Sequence, residues 1–125
     1  MTHRLWVIAY DSIHFDFELR SFNDCTGDRD ICGDGIGDLP GIIEKLDYFE
    51  DLGIKAIWMN PVYESPMDDT GYDVSNYRKI HYEYGNDTDI ENLINAMHKK
   101  GMKLMMDFVP NHTSDQNSMF QASIK

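Results

Sequence analysis

The chain is 125 residues long, 42% hydrophobic and 12% aromatic, with 22 acids against 11 bases and a formal net charge of −11. That composition excludes a disordered chain, and the acidity excludes a nucleic-acid backbone as partner, because phosphate binding needs clustered Lys and Arg. Neutral or cationic ligands fit better.

From Leu5 to Tyr10 runs a stretch of six apolar residues that Asp11 interrupts, too short for a signal-peptide core or a membrane span, so neither is expected in this chain. Cys25 and Cys32 follow, seven apart in a Gly- and Asp-rich stretch without the paired spacing of a zinc site. Two free thiols are expected, with a local disulfide as the alternative. The acidity gathers between Asp24 and Asp38, where Asp30-Ile-Cys-Gly-Asp-Gly-Ile-Gly-Asp38 sets a carboxylate at every fourth position. Calcium takes six to eight oxygen ligands, and Asp30, Asp34, Asp38 and the carbonyl of Ile36 would supply part of such a shell. A solvated acidic turn explains the same residues equally well, and the terminal Glu of an EF-hand loop is missing.

From about Pro40 onward, helical and buried-strand patterns alternate. Ile42, Ile43, Leu46, Phe49 and Leu52 recur at helical spacing, and Gly53 supplies a left-handed stop, so the pattern predicts a helix over Gly41 to Leu52. Ile54 to Met59 is a nearly continuous apolar run ending at Asn60-Pro61, as expected of a strand covered on both faces in a parallel sheet. Asn60 to about Asn86 is polar, aromatic and broken by Pro61, Pro66, Gly71 and Gly85, and reads as a long loop of the kind that carries function. Thr88 with Glu91, or Asn86 with Asp89, then forms a capping box for a second amphipathic helix that stops at Gly101. Met102 to Val109 is a second buried strand, followed by Pro110 and the polar run Asn111 to Ser118.

This order belongs to an α/β fold with parallel strands joined by right-handed crossovers. A β/α barrel and an open doubly wound sheet both fit, and in either one polar residues at the C-terminal ends of strands mark the ligand side. No Gly-x-Gly-x-x-Gly turn is present, which weakens the nucleotide-binding version. The methionines at 97, 102, 105 and 106 read as core. Asn86-Asp87-Thr88 and Asn111-His112-Thr113 both match the glycosylation pattern, which acts only in a secreted chain.

Four blocks in order carry a resemblance: Gly33 to Leu46 (GDGIGDLPGIIEKL), Leu52 to Pro66 (LGIKAIWMNPVYESP), Asp69 to Tyr77 (DTGYDVSNY) and Lys103 to Asp115 (KLMMDFVPNHTSD). They are similar to the calcium loop and first helix, second barrel strand, sugar-pocket loop and third strand of glycoside hydrolase family 13 proteins of the α-glucosidase (maltase, oligo-1,6-glucosidase) kind. The similarity spans roughly Arg20 to Phe120. It implies that residues 1–125 form the N-terminal part of a (β/α)8 TIM barrel, the first two to three βα units, ending shortly after the third strand.

The resemblance also implies roles. Asp107, Asn111 and His112 match the family's Asp-x-x-x-Asn-His signature, in which His112 would hydrogen-bond the sugar while Asp107 and Asn111 orient the site without proton transfer. Asp69 and Tyr72 match the pair that holds the terminal glucose, Tyr72 as an aromatic platform. Read without the family, His112 is a capping residue and Asp107 an ion-pair partner. The segment Asp24 to Arg29 looks like an insertion ahead of the calcium loop, Cys32 stands where the family has Asn or Asp, and Asp24 could replace Asp30 as the first ligand. The nucleophile and acid/base that retaining glycoside hydrolysis requires lie outside this chain, so no catalytic residue is assigned within it. The parent's expected ligand is an α-glucoside disaccharide or oligosaccharide. The alternative is a non-catalytic heavy chain of an amino-acid transporter, partnered by a membrane-embedded light chain.

Overall fold

The computed structural model describes residues 4–7 and 13–125, with side chains from Phe15 onward, so part of the apolar run Leu5 to Tyr10 lies outside the described residues. A four-stranded sheet is ordered β1(Arg4–Val7), β2(Ile13–Phe17), β3(Ile54–Met59), β6(Lys103–Met106). The β1–β2 pair is antiparallel, with Arg4 opposite Asp16 and Val7 opposite Ile13. The pairs β2–β3 and β3–β6 are parallel, aligning Phe17 with Met59 and Met59 with Met106. Three parallel strands in sequence order, with helices between them, are the opening units of a β/α barrel.

The first crossover is two short helices, α1(Leu39–Glu44) and α2(Leu46–Asp51), where the periodicity predicts one. Lys45 interrupts it: its φ of −102° and ψ of 3° leave the helical region, and its N–H turns to the Ile42 carbonyl at 2.9 Å. The apolar face survives the break, so Ile42, Leu46 and Phe49 still reach one core. Phe15, Phe17, Phe22 and Phe49 form its aromatic centre, with Phe22 stacked on Phe49 at 5.4 Å between centroids.

The second crossover helix, α3(Asp87–Lys99), starts at the Asn86–Asp89 box rather than at Thr88–Glu91. Asp89 N–H donates to the Asn86 side chain at 3.2 Å, and Asn86 N–H donates to the Asp89 carboxylate at 2.9 Å. Leu93 and Met97 from this helix complete the core over β3 and β6.

The long loop expected over Asn60 to Asn86 is not structureless. It holds an antiparallel hairpin, β4(Tyr63–Glu64) with β5(Asn76–Ile80), and its two-residue first strand is too short to show any alternation. The last strand is also shorter than the apolar run predicts, and a final helix, α4(Ser118–Ser123), follows the polar segment. Among the described residues no helix is long and apolar enough to cross a membrane.

Candidate functional site

Parallel strands β3 and β6 end side by side at Met59 and Met106, so the residues that follow each of them share one edge of the sheet. Asp107 comes first after β6, and its N–H extends the ladder to the Met59 carbonyl at 3.1 Å. Its carboxylate accepts two side-chain donors. Trp58 Nε1 donates to Oδ1 at 3.0 Å, and the Tyr72 hydroxyl donates to Oδ2 at 2.7 Å.

Trp58 reaches this position because strand residues alternate in direction: it is 37% exposed, while its neighbours Ile57 and Met59 are fully buried. Burial, then the bond to Asp107 and that carboxylate's charge, push the Tyr72 hydroxyl far above the ordinary phenol range. Burial, then the charge of Asp107, push Tyr63 the same way. Both tyrosines therefore remain protonated, and Tyr72 remains a donor to Asp107.

Tyr72 is presented by a turn whose organiser is Asp73. Its carboxylate accepts the Ser65 hydroxyl at 2.9 Å and the N–H groups of Asp68 at 2.9 Å and Asp69 at 3.1 Å. Burial raises the Asp73 carboxyl, but these donors outweigh it and hold the group below the usual carboxylate range. The collected bonds keep Met67 and Thr70 at positive φ, 63° and 52°, a region that costs a non-glycine residue about 1–2 kcal/mol. Asp69 lies in this turn, exposed, with its carbonyl accepting the Tyr72 N–H at 3.0 Å.

The segment after β6 is pinned from the hairpin. The Tyr77 hydroxyl lies 2.6 Å from the Val109 carbonyl and 2.8 Å from the His112 carbonyl. Farther along, Ser114 N–H donates to the Val74 carbonyl at 3.0 Å. These bonds fix the backbone of His112 and leave its ring exposed, hydrogen-bonded to the Asn111 side chain.

Of the residues singled out by sequence, Tyr72 and Asp107 are in direct contact. Asn111 is paired with His112, and Asp69 is bonded to Tyr72 through its backbone. Three further contributors were not singled out: Trp58, Tyr77 and Asp73. Within the apolar run Ile54 to Met59 nothing local marks Trp58 off from its neighbours. A cleft of about 720 Å³, lined by Glu64, Tyr77, Arg78, His81, Tyr82 and Asn117 among others, is a separate hollow that excludes Asp69, Tyr72 and His112.

The acidic loop departs from expectation. Cys25 and Cys32 are joined in a disulfide with Cα atoms 4.7 Å apart, so they are not free thiols. Asp38 is fully buried and serves as the N-cap of α1, accepting Gly41 N–H at 2.7 Å and Cys25 N–H at 3.2 Å. Asp24 grips the loop instead, accepting Gly33 N–H and Gly35 N–H at 2.7 Å each, and Asp34 accepts Ile36 N–H at 2.8 Å.

Burial pushes the Asp38 carboxyl up, its two N–H partners oppose this, and the charges of Asp24 and Asp34 add to the rise. Asp30 stays exposed. Among the described residues, Asp30, Asp34 and Asp38 do not form a group with ligand atoms all within 4.8 Å of one another. Among the described residues, the metal-ligating side chains whose ligand atoms lie within 4.8 Å of one another are Cys25, Cys32 and Asp38, and the two sulfurs are already bonded to each other.

Comparison with known proteins agrees with this architecture. Residues 19–125 match the family described as alpha amylase, catalytic domain. The chain is 50% identical over 115 residues to an alpha-glucosidase of Apis mellifera, covering 92% of this chain and 19% of that protein. It is 52% identical over 115 residues to an oligo-1,6-glucosidase of Bacillus cereus, covering 92% of this chain and 20% of that one. Among solved structures, isomaltulose synthase from Protaminobacter rubrum superposes with a TM-score of 0.84 at 50% identity, over 94% of this chain and 20% of its own. The chain thus spans about a fifth of the length of these relatives.

Proposed function

Because the chain belongs to the alpha-amylase catalytic-domain family, we propose that it supplies one wall of a glucoside-binding pocket in a protein that hydrolyses terminal α-linked glucose. The observation that carries this reading is the convergence of Trp58 and Tyr72 on the Asp107 carboxylate, at the C-terminal ends of adjacent parallel strands, where barrel enzymes build their sites.

Each residue has a role its surroundings support. Tyr72 offers a ring face to a neutral sugar, and its hydroxyl is already committed to Asp107. Asp107 has a donor on each oxygen, which suits orientation rather than proton transfer. The exposed carboxylate of Asp69 and the His112 Nε2, on the side of the ring away from Asn111, can meet sugar hydroxyls as acceptor and donor. Asn111 sets the His112 ring through its hydrogen bond. A retaining reaction needs a nucleophile and an acid/base about 5 Å apart, and these are expected from strands beyond the described three.

The test is hydrolysis of maltose and isomaltose by the full-length protein carrying this chain. Replacing His112 by Ala is expected to lower kcat/KM by two orders of magnitude or more with little change in melting temperature. Full activity in that variant would remove the residue from the pocket and the reading with it.

A further inference from the structure

The structure separates the two Asn-x-Thr patterns. Asn86 and Thr88 are both exposed at the start of α3. The cap uses the Asn86 side-chain oxygen, which accepts Asp89 N–H, and the Asn86 backbone N–H, which donates to the Asp89 carboxylate. Its amide nitrogen Nδ2 takes no part in the box. At the second pattern the Asn111 Nδ2 is engaged with the His112 ring, inside the candidate sugar site.

Two further observations bear on Asn86. The Cys25–Cys32 disulfide marks a chain made for an oxidising compartment, where such acceptor patterns are used. Asn86 also borders an open cleft of about 430 Å³ shared with Asp28, Arg29 and Tyr82, and Tyr82 is 68% exposed. An exposed aromatic next to the acceptor gives the first sugar a surface to lie against.

We infer that Asn86 is an N-glycosylation site carrying an oligosaccharide linked through N-acetylglucosamine, and that Asn111 is not. In the transfer, Nδ2 bonds to C1 of the reducing-end sugar of a lipid-pyrophosphate-linked oligosaccharide. The C1–oxygen bond breaks, the lipid pyrophosphate leaves with the electron pair, and one amide proton passes to a base of the transferase. The side-chain oxygen is untouched, so the α3 cap survives the modification. A glycan on Asn111 would instead break the bond to His112 and stand in the pocket.

The experiment is translation of the full chain behind a secretory leader in the presence of microsomes, followed by peptide N-glycosidase treatment in heavy-oxygen water and peptide mass spectrometry. One glycan is expected, with Asn86 converted to labelled Asp. The mobility shift should vanish completely in Thr88→Ala, which keeps the Asn86 cap, and persist in Asn111→Gln. An unlabelled Asn86 in the unsubstituted chain, or a label on Asn111, overturns the inference.

Discussion

Tyr72 and Asp107 are joined by a 2.7 Å hydrogen bond across 35 residues of sequence, and that bond ties the turn after β4 to the end of β6. A bond from a hydroxyl to a carboxylate contributes about 1.5–3 kcal/mol, and it positions both the aromatic face and the acid. Tyr72→Phe keeps the ring and loses the donor. Glucoside hydrolysis by the full-length protein is expected to fall about tenfold or more in kcat/KM, most of it in kcat, because sugar stacking is retained while orientation is lost. An unchanged kcat would show that the Tyr72–Asp107 bond is only structural.

The Cys25–Cys32 bridge closes a short loop, with a sequence separation of 7, for which chain entropy gives about 2–3 kcal/mol of stabilisation. With the carboxylates of Asp24, Asp34 and Asp38 already accepting N–H donors, reductant and chelator should act differently. Dithiothreitol, or the double substitution Cys25→Ser with Cys32→Ser, is expected to lower the melting temperature by several degrees, whereas EDTA leaves it unchanged. A chelator-induced loss as large as that of the reductant would mean the loop rearranges around a cation.

Acid should weaken the fold in a specific window. The Arg29 guanidinium, bonded to both oxygens of Asp89 at 2.5 and 2.7 Å, holds that carboxyl below its ordinary value. For Glu83, burial pushes upward but the Arg20 and His81 partners outweigh it; Asp73 behaves likewise with its own donors. Each folded value lies below the unfolded one, so the stabilisation is complete above the ordinary carboxylate range, about pH 4–5, and drains away as pH falls through the folded values. Asp38 is raised and works in the opposite sense, softening the decline. Thermal scans from pH 7 downward should show a plateau and then a fall, and Asp89→Asn should flatten that fall. An identical profile in Asp89→Asn would show that the Arg29 pair contributes nothing.

Glycine substitutions should split by backbone approach. A Cβ on Gly41 would sit 1.9 Å from the Asn23 carbonyl oxygen, and one on Gly37 would sit 2.0 Å from that of Leu19. Gly41→Ala and Gly37→Ala are expected to cost more than about 4 kcal/mol, enough to prevent folding. Gly53 meets nothing within 4 Å, and only its φ of 78° opposes alanine, for a loss of about 1–2 kcal/mol. Urea melts of the three variants order them, and a Gly41→Ala no worse than Gly53→Ala would refute the close approach.

What sequence could convey depended on how locally each feature is encoded. Ile54 to Met59 and the Asn86–Asp89 box are written in adjacent residues, so strand β3 and the start of α3 were legible. The pairing of Tyr63–Glu64 with Asn76–Ile80 was not, since a two-residue strand with a shifted register leaves no period to read. Lys45 breaks the first helix through its backbone angles, with neither proline nor glycine to announce it. The family resemblance singled out Tyr72 and Asp107 separately without joining them, because a bond spanning 35 positions has no local signature, while Trp58 was hidden by being read as one more apolar residue. Whether two cysteines seven apart meet depends on the path of the chain between them, which Asp24 fixes by gripping Gly33 and Gly35.

The antiparallel strand Arg4–Val7 lies along the outer edge of β2, exchanging rungs with Ile13–Phe17. In a closed barrel the first parallel strand must meet the last, so that edge is the closing seam. Here the seam is already zipped. The Arg4–Val7 strand quenches the row of N–H and C=O groups through which the edge of β2 could otherwise pair with another copy of the sheet.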